Sequence, residues 1–124
     1  MAVSIVQTNA FKNSELITIS MTADGDADLS LPDKSFAGIT FQSDGNDGTG
    51  TLTVLVSNDG DNFVAAGFTS AADPVSTTPV TSITAAGAWV MPTFTLGWTK
   101  VRFHLTGATN PTLHLYVRLT YRGV

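Results

Sequence analysis

In "TLTVLVSNDGDNFVAAG", residues 51–67, Leu52, Val54 and Val56 recur at every second position among Thr51, Thr53 and Ser57, the run breaks at Asn-Asp-Gly, and an apolar run resumes at Phe63. A period of two is that of an extended strand with one face buried. Almost no part of the chain shows the 3.6-residue period of an amphipathic helix. Runs of five to eleven residues recur instead: 3–8, 15–21, 36–43, 51–57, 62–68, 80–84, 88–96, 100–106 and 112–122. Gly, Pro, Asp and Asn separate them. The segment "DGDADLSLPDKS", 24–35, reads as a loop. Short strands at near-regular spacing predict an all-β, single-domain antiparallel β-sandwich wound like a jelly roll. One domain spans 1–124, with 1–14 as a candidate N-terminal arm. In the 51–67 hairpin Leu52, Val54 and Val56 share one face. Gly60 supplies a positive φ, and Phe63 and Ala65 are expected to return to the buried face.

The last two runs invite a sharper expectation. "GATNP" separates them as a polar turn. Antiparallel pairing with residue numbers summing to 218 sets Val101 against Val117, Phe103 against Leu115 and Leu105 against Leu113. The other face then gathers Lys100, Arg102, His104, His114, Tyr116, Arg118 and Arg122. Like charges in opposition favour an anionic partner. This basic face is expected to dock carboxylates of a neighbouring subunit, the chain's own acidic half among them. Nucleic acid would use the same residues, but a net charge of −4 and the lack of a larger basic patch argue against it.

Composition points the same way. Charged residues are 13% of the chain, against about 25% in typical soluble domains. A surface so poor in charge suits contact with other protein. All ten acids lie between Glu15 and Asp73. The bases after that point are Lys100, Arg102, Arg118 and Arg122, so two oppositely charged halves result. Residues 74–99 carry no charge and hold Trp89, Met91, Phe94 and Trp98. Aromatics and Met in a charge-free run suit an interface centre, and Trp89 and Trp98 are its candidate anchors.

Chemistry-bearing patterns are sparse. There is no Cys, hence no disulfide or thiolate ligand. Two histidines without neighbouring carboxylates do not make a zinc site. Asp24, Asp26 and Asp28 have the alternate spacing of a calcium loop, but Leu29 and Ser35 stand where the helix–loop–helix motif needs Gly and Glu. No serine occupies a strand–turn–helix elbow. The first twenty residues lack the basic start and apolar run of a signal peptide, and no window has the ~18 apolar residues of a membrane helix. The expectation is a protein that is not an enzyme, with no cofactor and no metal, bound to neither nucleic acid nor membrane.

Two motifs carry a family resemblance. Ser57, Asn58, Asp59, Gly60, Asn62 and Phe63, followed by Trp98, Lys100, Val101, Arg102 and Phe103, are similar to a hairpin and strand of small β-sandwich virion proteins of tailed bacteriophages. The resemblance covers roughly residues 48–122. It implies a structural virion protein made in the host cytoplasm. The expected role is capsid decoration, a cement protein that binds the major capsid protein or other virion subunits and forms dimers or trimers. The alternative is a receptor- or glycan-binding module of a phage tail or fibre.

Overall fold

Every second residue of the long alternating runs turns inward. A computed structural model describes residues 3–11, 14–30, 36–46, 48–70, 82–83, 87–90 and 99–121. They form strands β1 (Val3–Phe11), β2 (Ser14–Met21), β3 (Gly25–Ser30), β4 (Phe36–Ser43), β5 (Thr51–Ser57) and β6 (Phe63–Ala65). The rest are β7 (Thr69–Ser70), β8 (Ser82–Ile83), β9 (Gly87–Val90), β10 (Lys100–Thr106) and β11 (Leu113–Tyr121). No helix occurs among the described residues. The two sheets, A and B, run β1-β2-β11-β4-β9-β7 and β3-β10-β5-β6, with β8 on the same side of β5 as β6.

The strand partners follow one rule. β2 pairs β11, β3 pairs β10, β4 pairs β9 and β5 pairs β8, all antiparallel. This is a long hairpin wound over two layers, the jelly-roll arrangement, with β6 and β7 inserted at its tip and β1 added outside β2. The β-sandwich expectation holds. Between the layers lies one apolar slab. Sheet A contributes Ile17, Ile19, Met21, Ile39, Phe41, Leu113, Leu115, Val117 and Leu119; sheet B contributes Ala27, Leu29, Leu52, Val54, Val56, Val101, Phe103 and Leu105. Phe41 ties the layers together. Its ring meets Phe103 of the opposite sheet at 5.3 Å and Phe68 at 5.1 Å, both edge-on, the geometry that the ring quadrupole favours.

Three expectations need correction. The Asp-rich segment 24–30 is mostly a strand, not a loop: β3 buries Ala27 and Leu29 and exposes Asp26 and Asp28. The alternate spacing of its aspartates is strand alternation, and the low β-propensity of Asp disguised it. Second, β10 and β11 are not neighbours. β10 lies between β3 and β5, and β11 between β2 and β4. Val101, Phe103 and Leu105 share the slab with Leu113, Leu115 and Val117 from the facing layer rather than from an adjacent strand. Period two fixes which side is buried; it does not fix which strand is next door. Third, Phe63 and Ala65 lie on the outer face, because the turn register sets Phe63 opposite Ser57 and Ala65 opposite Leu55.

The crossing from β10 to β11 is held by neighbouring loops. Asp24 accepts hydrogen bonds from the backbone of Gly107 (3.0 Å) and Ala108 (2.9 Å). Thr109 N donates to Gly48 O at 2.7 Å and Thr112 N to Asn46 O at 3.0 Å. Gly48 has φ +58°, and a Cβ there would lie 2.4 Å from Thr109 O. Gly107 also has positive φ, with nothing within 4 Å of such a Cβ. Gly48→Ala should therefore cost clearly more stability than Gly107→Ala, whose cost is backbone strain of about 1 kcal/mol. Phe41→Ala should cost about 3–5 kcal/mol. Urea unfolding of the three variants checks both statements.

Candidate interaction surfaces

The two layers present unlike outer faces. On sheet B the register places Arg102 opposite Asp28 and His104 opposite Asp26. Arg102 grips Asp28 with two parallel bonds, Nε to Oδ1 at 2.7 Å and NH2 to Oδ2 at 2.9 Å. This is the fork geometry that suits guanidinium and carboxylate. Its Nε also lies 3.6 Å from Asp26, and its guanidinium carbon sits 3.8 Å above the Phe63 ring, a cation–π contact. His104 Nδ1 bonds the Asp26 carboxylate. The Arg102 hydrogen bonds hold Asp28 below its ordinary pKa despite partial burial.

The hairpin that carries the family resemblance is a self-satisfied turn. Asp59 Oδ1 accepts from Asp61 N at 2.9 Å, Asn62 N at 2.8 Å and the Ser57 hydroxyl at 3.0 Å. Its Oδ2 accepts from Asn62 Nδ2 at 2.7 Å. Ser57 Oγ in turn accepts from Gly60 N at 2.8 Å, where φ is +83°. Those backbone donors depress the Asp59 pKa strongly. Thr99, just before β10, donates from both N and Oγ1 to Ser57 O. The two motifs thus touch: the turn seats the start of β10, and Phe63 underlies Arg102. Each of these contacts is architectural.

Sheet A is different. Its outer face runs in cross-strand rows: Ser4, Ser20 and His114; then Val6, Thr18, Tyr116 and Gln42; then Leu16, Arg118 and Thr40. These rows contain no acid. Tyr116 is 41% exposed and Val6 59%. His114 is held at the rim by Asp44, which accepts from His114 N at 3.1 Å and Nδ1 at 2.9 Å. Burial would raise the Asp44 pKa, but hydrogen bonds from Asn46 and His114 outweigh it and leave it lowered.

The seven polar residues expected on one basic face therefore divide. Lys100, Arg102 and His104 lie on sheet B; His114, Tyr116 and Arg118 lie on the opposite outer face, on sheet A. The cause is the placement of β10 and β11 in separate layers. Arg122, Trp98 and the side chain of Trp89 lie outside the described residues; the Trp89 backbone sits in β9 in register with Phe41 and Ser70. Asp26, Asp28, Asp44 and Phe63 are the partners that sequence reasoning missed. The segregation of acids and bases along the chain was their signal, because winding sets the acidic first half against the basic second half. Among the described residues no group of three His, Cys, Asp or Glu could hold a metal ion.

No family model matches the chain, and no curated protein matches it. Solved structures do. The crystal structure of the SPBc2 prophage-derived protein YomS is similar with a TM-score of 0.67 and 10% identity, over 90% of this chain and 98% of that one. The shared property is the fold. The K1 cleaved adhesin domain of Lys-gingipain from Porphyromonas gingivalis W83 overlaps with a TM-score of 0.42 and 14% identity, over 98% of this chain and 92% of that one. That overlap carries no argument.

Two outcomes follow from these contacts. A double-mutant cycle on Arg102→Ala and Asp28→Ala should give a coupling of about 0.5–1 kcal/mol, small because solvent screens the pair, and weaker at high salt. Asp28, Asp44 and Asp59 all titrate below the ordinary value of 3.8. A depressed folded pKa gives stability that is complete above the unfolded value and lost as pH falls through the folded one. The urea midpoint should thus drop below about pH 4, and Asp44→Asn should flatten that drop.

Proposed function

We propose that the protein is a structural component of a tailed-phage virion, a decoration protein that lays the outer face of sheet A on the major capsid protein. The observation that carries this reading is the contrast between the faces. On sheet B the Arg102 guanidinium and the His104 ring are already engaged by Asp28 and Asp26 of the same chain. Among the described residues, the rows of sheet A offer an acid-free surface of Thr, Ser, Gln, Tyr and Val, crossed by Arg118, with His114 held by Asp44 at the rim. Desolvating hydroxyls, an aromatic ring and short apolar side chains costs far less than desolvating ions. About 800 Å² of such a face per partner is the usual scale of a specific interface. The virion-protein resemblance of the hairpin, the low charge, and a fold shared with a prophage-derived protein support the same reading. No chemistry is required of it: burial alone stabilises the assembled shell, and the protein acts in the virion after synthesis in the host cytoplasm.

Cosedimentation with capsids of the encoding phage tests this. Wild-type protein should pellet with shells. Thr18→Glu with Tyr116→Glu should weaken binding tenfold or more at an unchanged melting temperature, while Arg102→Ala should leave binding intact. Failure of the wild type to bind shells, or equal binding by the double variant, would overturn the assignment. A defined sugar preference on a glycan array would support the tail or fibre receptor-binding reading instead.

A further inference from the structure

We infer that the protein forms a two-fold dimer through the edge of β1 that no described strand pairs, joining the two sheets A into one continuous sheet. An unpaired strand edge presents a row of backbone donors and acceptors, and proteins normally blunt such edges with charge, brevity or proline. Among the described strands the other edges are blunted. β3 carries Asp26 and Asp28. β6, β7 and β8 are three, two and two residues long. β1 has nine residues, "VSIVQTNAF", with neither charge nor proline. Its ladder with β2 is regular from Val3 to Thr8 and becomes irregular only between Thr8 and Phe11.

The position of β1 adds a second argument. By register Val3 and Ile5 belong to the inner face, opposite Met21 and Ile19. Val3 packs against the core. Ile5 is 43% exposed, because sheet A extends beyond sheet B there. An inward-facing isoleucine is therefore left partly uncovered at the rim, beside an edge that no described strand pairs. Both deficits are met by the same addition.

The occupant that fits is a second copy. Two antiparallel β1 strands related by a dyad normal to the sheet oppose residues whose numbers have an even sum, so inner faces always meet inner faces. With the dyad at Ile5, Ile5 meets the partner's Ile5 under the overhang and Ser4 meets the partner's Val6 on the outer face. Charge does not oppose self-association at this site. The chain carries −4 overall, yet β1 contributes nothing to repulsion. The arrangement is closed, since each copy uses its one unblunted described edge. It goes beyond capsid docking and stands without it, though it would set two outer faces of sheet A side by side.

Sedimentation velocity of the purified full chain, without capsids, tests the inference. Wild-type protein should sediment as a concentration-dependent dimer. Ile5→Lys and Val6→Lys should each weaken dimerisation at least tenfold with little change in melting temperature. Because the chain has no cysteine, Ile5→Cys gives a unique thiol. Mild oxidation should yield a covalent dimer, whereas Asn58→Cys, in the exposed turn, should not. A wild-type monomer at all concentrations, growth into open-ended aggregates, a dimer that survives both lysine variants, or cross-linking equal at positions 5 and 58 would each overturn it. Loss of capsid binding leaves all of these readouts unaffected.

Discussion

The structure depends on the antiparallel pairing of the first half of the chain with the second. Each of the four pairs β2·β11, β3·β10, β4·β9 and β5·β8 joins distant segments. None can form independently of the winding, because β10 and β11 fill the centres of opposite layers. Their alternating residues supply the middle of the slab from both sides at once. The same winding explains the charge distribution. Acids on the early strands and loops meet bases and histidines on the late strands, Asp28 with Arg102, Asp26 with His104 and Asp44 with His114. Segregation along the chain becomes pairing across the sheet and at the rim.

Much of this was legible, and the failures have physical causes. Inner residues of β10 and β11 were plain, because a one-step shift would have buried Arg and His, and those of β5 because it would have buried Thr51 and Thr53. The β5–β6 turn was plain, because Gly60 and the surrounding Asp and Asn residues suit it. β3 was hidden because three aspartates resemble a loop, although Ala27 and Leu29 alternate with them correctly. The partner of β10 was unreadable from β10 and β11 alone: inward residues look the same whether they meet a neighbour in the sheet or a residue across the slab. The basic face fell with that register, since His114, Tyr116 and Arg118 moved to the other layer. The virion-like motif was visible as a motif, but its residues turn out to build a turn and seat a strand. Its value was in pointing to a fold.

What remains for function is surface. On sheet B, Arg102 and His104 are engaged by aspartates of the neighbouring strand and Phe63 underlies the arginine. On sheet A, the rows of described residues contain no acid, and the outer strand β1 carries neither charge nor proline. Proteins that meet only water usually balance such a face with scattered charge. The asymmetry between the layers is the physical basis for the proposal that this chain works within an assembly.

Hydroxyl-radical footprinting of the protein alone and on shells tests that asymmetry most directly. The account predicts that Tyr116 loses reactivity on binding while Phe63 and His104 keep theirs. Protection of Phe63 and His104 with Tyr116 unchanged would place the contact on the wrong layer and contradict it.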